Sequence, residues 1–477
     1  STKGSQLSFS TFVKAEIVKA VPKVMASSLC VIALVFALLT SSTAGVPLSA
    51  ASVPEEKAGY ISPSKDAHLF YWFMRSYVSD PSRAPLVLWL QGGPGGSSTG
   101  FGNFLEVGPL DVNGNKRDHT WLHNVNLLFV DQPVGTGYSY VDDNSAYTTN
   151  EDEIARDMVA LLAGVEKEVP GVLSMPFYIF SESYGGKMAS NIGVAVAEAI
   201  AAGHLHLQFR GVALGDSWVD PISCVQSYGD FLYINAQVDE EQKKGLDSYA
   251  EKMDSLIQAN KGVEATNQWG AQQQYMENVT GGVNVYNFLQ HGAHPNEAVT
   301  MLSDPHPLFR GLKADPESEL PKLMNSDAMR KKLGIPDSVV WGEHANDVFS
   351  YLSNDFMHTA VPAVDTLLTT STSSLNSAGV EVNVYVGALD LIVTTPSVDN
   401  WLKKLKWAGL DSYEQSEREL IFVGDTPATN TTAAYVKSYD NLAVYYILNA
   451  GHMVPADQPA TAFEMMRRIT HTAPYEG

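Results

Sequence analysis

The chain is poor in cysteine, with two among 477 residues, Cys30 and Cys224. Cys30 lies in a segment expected to be removed, which leaves one thiol and excludes an internal disulfide framework. Taken alone, such cysteine usage points to a reducing compartment. Cationic residues are also scarce: 31 Lys and Arg face 53 Asp and Glu, so the formal charge is 31 − 53 = −22. Nothing gathers the cations into a stripe, which argues against a nucleic-acid partner. Long apolar runs are missing too. Leu29–Leu39 falls far short of the roughly 20 residues a membrane helix needs, and no later stretch is long and apolar enough. Neither a Walker pattern nor Gly-x-Gly-x-x-Gly is present, so the glycine-rich loops are not phosphate cradles. His204/His206 and His291/His294 have no carboxylate or cysteine at a metal-site spacing. They are expected to be surface residues, with no metal and no cofactor.

What is present is an ordinary folded composition, 45% hydrophobic and 10% aromatic. At roughly 150 residues per domain the length suggests two or three domains. The chain begins with Ser1, yet Met25 is followed by the short apolar run, which ends in Thr40-Ser-Ser-Thr-Ala44. This suits a signal peptide with Met25 as the true start and a cleavage site at the small residues. Residues 1–44 are therefore expected to be upstream sequence plus signal peptide. The triplets at Asn278 and Asn430 are compatible with glycosylation in the secretory route.

Three short apolar runs, His68–Met74, Pro85–Leu90 and Asn126–Val130, read as strands. Glu151–Glu168 has helical spacing. Phe177-Tyr-Ile-Phe-Ser181-Glu182-Ser183-Tyr184-Gly185-Gly186 is a strand entering a small-residue turn, and Lys187–Ile200 continues as a helix. Strand, sharp turn and helix are the setting of a nucleophile elbow, with Ser181 where the usual pattern has its first glycine. Arg210–Leu214 is a further strand. From about Trp218 to Val340 the chain turns polar and helical, as in Glu240–Lys261. Strand and helix then resume: Asp355–Thr369 reads as a helix, and Val380–Val386 is a strand of clean alternation. Asn441–Leu448 is another strand. Alternating strands and helices predict an α/β layered fold with a mostly parallel sheet. The expected domains are core residues 45–217, a mainly helical insertion 218–340 forming a cap, and core residues 341–477.

Ser183, Asp390 and His452 each follow a strand end, in the chain order of the α/β-hydrolase fold. Serine is a weak nucleophile until an imidazole takes its proton, and the imidazole needs an acid to fix its tautomer and stabilise its charge. Gln91-Gly-Gly-Pro-Gly-Gly-Ser-Ser98 also follows a strand, and its glycines free backbone N–H groups for an oxyanion hole.

Gln91-Gly-Gly-Pro-Gly, Phe104-Leu-Glu-Val-Gly-Pro109, Phe129-Val-Asp-Gln-Pro-Val-Gly-Thr-Gly137, Ser181-Glu-Ser-Tyr-Gly185 and Gly451-His-Met-Val-Pro455 together resemble the serine carboxypeptidase family, in its order, over about residues 60–470. The Ser-Glu-Ser-Tyr-Gly-Gly-Lys form, the Gly-Asp-Ser-Trp turn and the scarcity of cysteine look most like its retinoid-inducible branch. The resemblance implies an α/β-hydrolase core with a helical cap. It also implies a secreted or lysosomal/vacuolar enzyme acting on peptide or protein C-termini, and it makes Cys224 a branch feature rather than a cytosolic sign.

In roles, the resemblance implies Ser183 as nucleophile, His452 as general base and acid, and Asp390 as orienting acid. The Gly93 and Tyr184 amides would form the oxyanion hole, and Gln91, Gly92, Glu106 and Glu182 would bind the substrate carboxylate. Three departures stand out. Gln91 replaces the family's Asn, Gly95-Gly96-Ser97-Ser98 replaces Gly-Cys-Ser-Ser, and Gly387-Ala388-Leu389-Asp390 replaces Gly-Asp-x-Asp. An acid beside a substrate carboxylate attracts it only when protonated, so activity is expected to favour acidic pH. An acyltransferase or esterase on the same site, or a non-catalytic binding protein, are the alternatives.

Overall fold

The computed structural model describes residues 55–290, 319–370, 379–423 and 431–474. The signal-peptide expectation, His291/His294 and Asn430 lie outside them. The strands are β1 (Glu56–Ser64), β2 (Ala67–Met74), β3 (Leu86–Leu90), β4 (Asn126–Asp131), β5 (Tyr140–Val141), β6 (Pro176–Glu182), β7 (Gln208–Gly215), β8 (Glu381–Gly387), β9 (Arg418–Val423), β10 (Thr431–Tyr439) and β11 (Leu442–Ile447). They form an 11-stranded sheet in the order β1-β2-β4-β3-β6-β7-β8-β11-β10-β9, with β5 paired to β2. From β4 through β11 all neighbours are parallel, and antiparallel pairs close both edges.

The central strands are apolar on both faces because helices cover both. Every residue of β3 is fully buried. The strand expected over Val380–Val386 is β8, and despite its polar/apolar alternation Val382 to Gly387 are all buried, Asn383 included. The sequence missed β1 and β9, the two edge strands, and β10 next to β9; most of their residues are exposed or half-buried and carry no sustained apolar run.

Helix α1 (Glu151–Glu168) starts where the Asn150 side chain accepts the Glu153 N–H, with three acids in its first turn and Lys167 in its last. Both features favour the helix dipole. α2 (Tyr184–Ala201) starts directly after Ser183, three residues earlier than the sequence suggested. Between β7 and β8 come α3 (Pro221–Ile234), α4 (Glu240–Gln258, opened by an Asp239/Gln242 capping box) and α5 (Gly262–Thr280). The helix expected over 355–369 runs only from Val361 to Thr369. Pro362 explains the difference, because proline fits the first turn of a helix and not its interior. No helix among the described residues is long and apolar enough to cross a membrane.

Candidate active site

The site lies at the carboxyl ends of the parallel strands, where ligands of such sheets bind. β6 ends at Glu182, and Ser183 takes φ 62°, ψ −129° before α2 begins. That conformation is strained for a residue with a side chain. Three backbone bonds hold it: the Ser183 N–H donates to Gly215 O at 2.9 Å, and its carbonyl accepts from Gly186 N at 3.0 Å and Trp218 N at 2.9 Å. Behind the turn, the buried Lys187 pairs with Asp355 Oδ2 at 2.7 Å and locks the first turn of α2 in place.

β3 is the neighbour of β6, so the Gln91–Ser98 loop lies against the elbow. The contact is close. A Cβ on Gly92 would stand 2.5 Å from Ser183 Cβ and 2.8 Å from Tyr184 N, so only glycine fits. Gly93 has φ +113°, a left-handed conformation that glycine adopts freely. The Tyr184 N–H belongs to the first turn of α2, whose donors have no intrahelical partner.

The loop is anchored from β4, which explains why its motif accompanies the Phe129–Gly137 one. Asp131, fully buried, accepts from Ser97 Oγ (2.7 Å), Thr99 N (3.0 Å), Thr99 Oγ1 (2.8 Å) and Tyr138 N (2.9 Å). Trp341 Nε1 then donates to Ser97 Oγ at 3.0 Å.

Asp390 follows β8 and His452 follows β11, adjacent parallel strands. The His452 Nδ1 to Asp390 Oδ2 distance is 2.7 Å, and both residues are buried. The other Asp390 oxygen accepts the N–H groups of Ile392 (2.9 Å) and Val393 (3.2 Å). These bonds fix the acid, and the acid fixes the imidazole. Nε2 of His452 is buried and has no hydrogen-bond partner among the described residues. Ser183 and His452 line one pocket together with Gln91, Gly92, Gly93 and Glu182.

At the same pocket, Gln91 Nε2 donates to Glu182 Oε1 at 2.7 Å. The amide is oriented by Trp89, two residues earlier on the same strand face, whose Nε1 donates to Gln91 Oε1 at 2.8 Å. Glu106 sits in a π-helix, Ser98–Val107, and is buried. It interacts with both Glu182 and Gln91. Its carboxyl lies above the ordinary range, first because burial removes it from water. Glu182 lies well above it, from burial and then from the charge of Glu106. Two buried carboxyls in contact cannot both ionise cheaply, so ionisation of the second is opposed by the first.

Sequence reasoning did not find Phe101, Tyr286, His344 or Met453, which also line the pocket. Met453 adjoins His452 and carried a positional signal. Tyr286, whose carbonyl accepts the His452 N–H at 2.7 Å, had none. His344 is brought in by a bridge between Gly96 and His344. His204 and His206 are exposed, and Asn278 is exposed near the end of α5.

A family model described as serine carboxypeptidase matches residues 48–472. Retinoid-inducible serine carboxypeptidase of Mus musculus is 43% identical over 428 residues, covering 86% of this chain and 90% of that protein. Serine carboxypeptidase-like 51 of Arabidopsis thaliana is 38% identical, covering 87% of this chain and 92% of that one. In fold, the chain resembles Kex1(delta)p, a prohormone-processing carboxypeptidase from Saccharomyces cerevisiae, with TM-score 0.76, 23% identity and coverage of 88% and 92%. The sheet is that of an α/β-hydrolase, and the chain belongs to the serine carboxypeptidase family.

Proposed function

We propose that the chain is a serine-type carboxypeptidase that releases single C-terminal residues from peptides through an acyl-enzyme and works best at acidic pH. The observation that carries this reading is the Gln91–Glu182 hydrogen bond with Glu106 beside it, in the pocket lined by Ser183 and His452. A protonated acid and an amide next to a nucleophile form a receptor for a free carboxylate, which an esterase or acyltransferase site does not need.

In this reading His452 Nε2 takes the Ser183 proton as Oγ attacks the last peptide carbonyl, and Asp390 stabilises the imidazolium. The amides of Gly93 and Tyr184 receive the oxyanion. The imidazolium then protonates the departing amino acid, and water, activated by the same imidazole, hydrolyses the ester. Gln91, Gly92, Glu106 and Glu182 hold the terminal carboxylate. Below the pair's titration it donates to that carboxylate; above it, two like charges repel the substrate.

The reading extends to the route through the cell. Residues 1–44 act as upstream sequence and signal peptide, Asn278 and Asn430 as glycosylation sites, and residues 218–340 as a cap. The protein is secreted or held in a lysosomal or vacuolar compartment.

The test is incubation of the purified protein and its Ser183→Ala variant with peptides at acidic pH, read by mass spectrometry. Stepwise C-terminal trimming by the parent is expected, with a loss of about 10⁶-fold in the variant. Undiminished trimming by the variant overturns the mechanism.

A further inference from the structure

Behind the triad lies a second acid that the reaction above does not use. Asp216 follows β7, the strand between β6 and β8, and is completely buried. One of its oxygens, a carboxyl oxygen of Asp390 and a ring nitrogen of His452 all lie within 4.8 Å of one another. The backbone aims the side chain there. Asp216 has φ 42°, a left-handed conformation that Asp and Asn tolerate best among residues with side chains, and its N–H donates to Tyr385 O at 2.7 Å. Its Oδ1 accepts the Gly387 N–H at 2.7 Å, which ties β7 to the end of the strand that carries Asp390. Its Oδ2 is buried and has no donor among the described residues, the interacting side chain being the Asp390 carboxyl.

Those facts constrain the proton. Asp390 must be ionised to stabilise an imidazolium, and it already has His452 and two backbone N–H groups around it. A second full charge at this distance, in a fully buried site, would meet direct repulsion and leave a charged oxygen with no donor. A neutral Asp216 removes both problems, because Oδ1 stays an acceptor for Gly387 and Oδ2 becomes a donor. The acceptor within reach is Asp390. Burial, and after it the charge of Asp390, hold Asp216 well above the usual carboxylate range. The other ionisable groups acting on it are Glu106, Glu182 and Tyr385, which would all oppose a further negative charge.

We propose that Asp216 is a positioning residue of the reaction: held as a neutral acid between Gly387 and Asp390, it donates its proton in a hydrogen bond to the triad acid and keeps Asp390 the single anion beside His452. The arrangement extends the histidine–acid pair into an array of three groups. The proposal rests on the reading of Asp390 and His452 as triad members.

Asp216→Asn separates a neutral donor from a charge, because the amide keeps an acceptor for Gly387 and an N–H donor for Asp390 without a titrating proton. The expected result is a kcat within about threefold of the parent, and an acid limb of the kcat profile that does not move. Were Asp216 ionised in the parent, Asn would delete a negative charge beside the catalytic pair, and the acid limb would shift to lower pH. That shift overturns the proposal.

Asp216→Leu removes the donor and is expected to lower kcat about tenfold, the loss of one hydrogen bond, with KM little changed. Parental kcat in the Leu variant also overturns the proposal. Should the Leu variant fail to fold, the infrared difference spectrum of parent minus Asp216→Asn decides. A carboxylic-acid carbonyl band at neutral pH is expected in the parent, and a carboxylate band in its place contradicts the proposal. This readout does not depend on turnover. A failure of the triad reading shows up separately, as an active Ser183→Ala protein.

Discussion

Two groups of buried carboxyls flank Ser183, and they differ in what stands beside them. Glu106 and Glu182 meet each other and an amide, Gln91, while His452 and Arg117 act on Glu106 less strongly than these hydrogen bonds do. Asp390 has an imidazole at 2.7 Å and two backbone N–H donors. Burial raises the carboxyls in both places; at Asp390 the net direction is still upward, and His452 opposes it. In the proposed reading the acid beside the histidine is the anion that serves kcat, whereas the pair beside the amide shares a proton and serves binding. The enzyme's pH dependence is thus expected to divide between the two.

The largest effect that could break this comparison is on kcat. Asp390→Asn should lower kcat by about 10⁴ and leave KM within a few-fold, since the amide cannot stabilise the imidazolium; steady-state kinetics at acidic pH check it. Next in size is Gln91→Leu, which strips Glu182 of its donor and leaves the Trp89 N–H unpaired. KM for a free-acid peptide should rise roughly 10- to 100-fold, the worth of a hydrogen bond to a charged group, with kcat changing less. The smallest effect separates stability from binding. Glu151 is buried behind the elbow, and burial raises its carboxyl to about 7. A raised folded-state value means its stabilising contribution is full below the unfolded value of 4.5 and is lost as pH rises through about 7. Glu151→Gln should remove on the order of 3 kcal/mol from the fall in stability between pH 4.5 and 8. Denaturant melts at several pH values measure it, and KM should not follow.

The core was legible because its strands are unbroken apolar runs that end in small or polar residues. Ser183, Asp390 and His452 could be placed for that reason, each one to five residues past a strand end. What the sequence hid depends on long-range neighbours. Trp89 reads as one more core aromatic, and only the fold shows that its N–H sets the direction of the Gln91 amide. Asp216 sits in a Gly-Asp-Ser turn with no outward sign that Asp390 lies beside it. Tyr286 and His344 reach the pocket from segments with no strand or helix pattern of their own. The edge strand β9 and its neighbour β10 escaped because exposure on one side removes the apolar run that betrays a central strand.

In the proposed function a protonated Glu106/Glu182 pair receives the substrate's terminal carboxylate. KM should therefore be measured from pH 4 to 8 for one peptide as free acid and as C-terminal amide. For the free acid, KM is expected to climb steadily as the pair ionises, while the amide is cleaved poorly throughout and its KM stays nearly level. A KM for the free acid that is flat across the range, or equal cleavage of acid and amide, would contradict it.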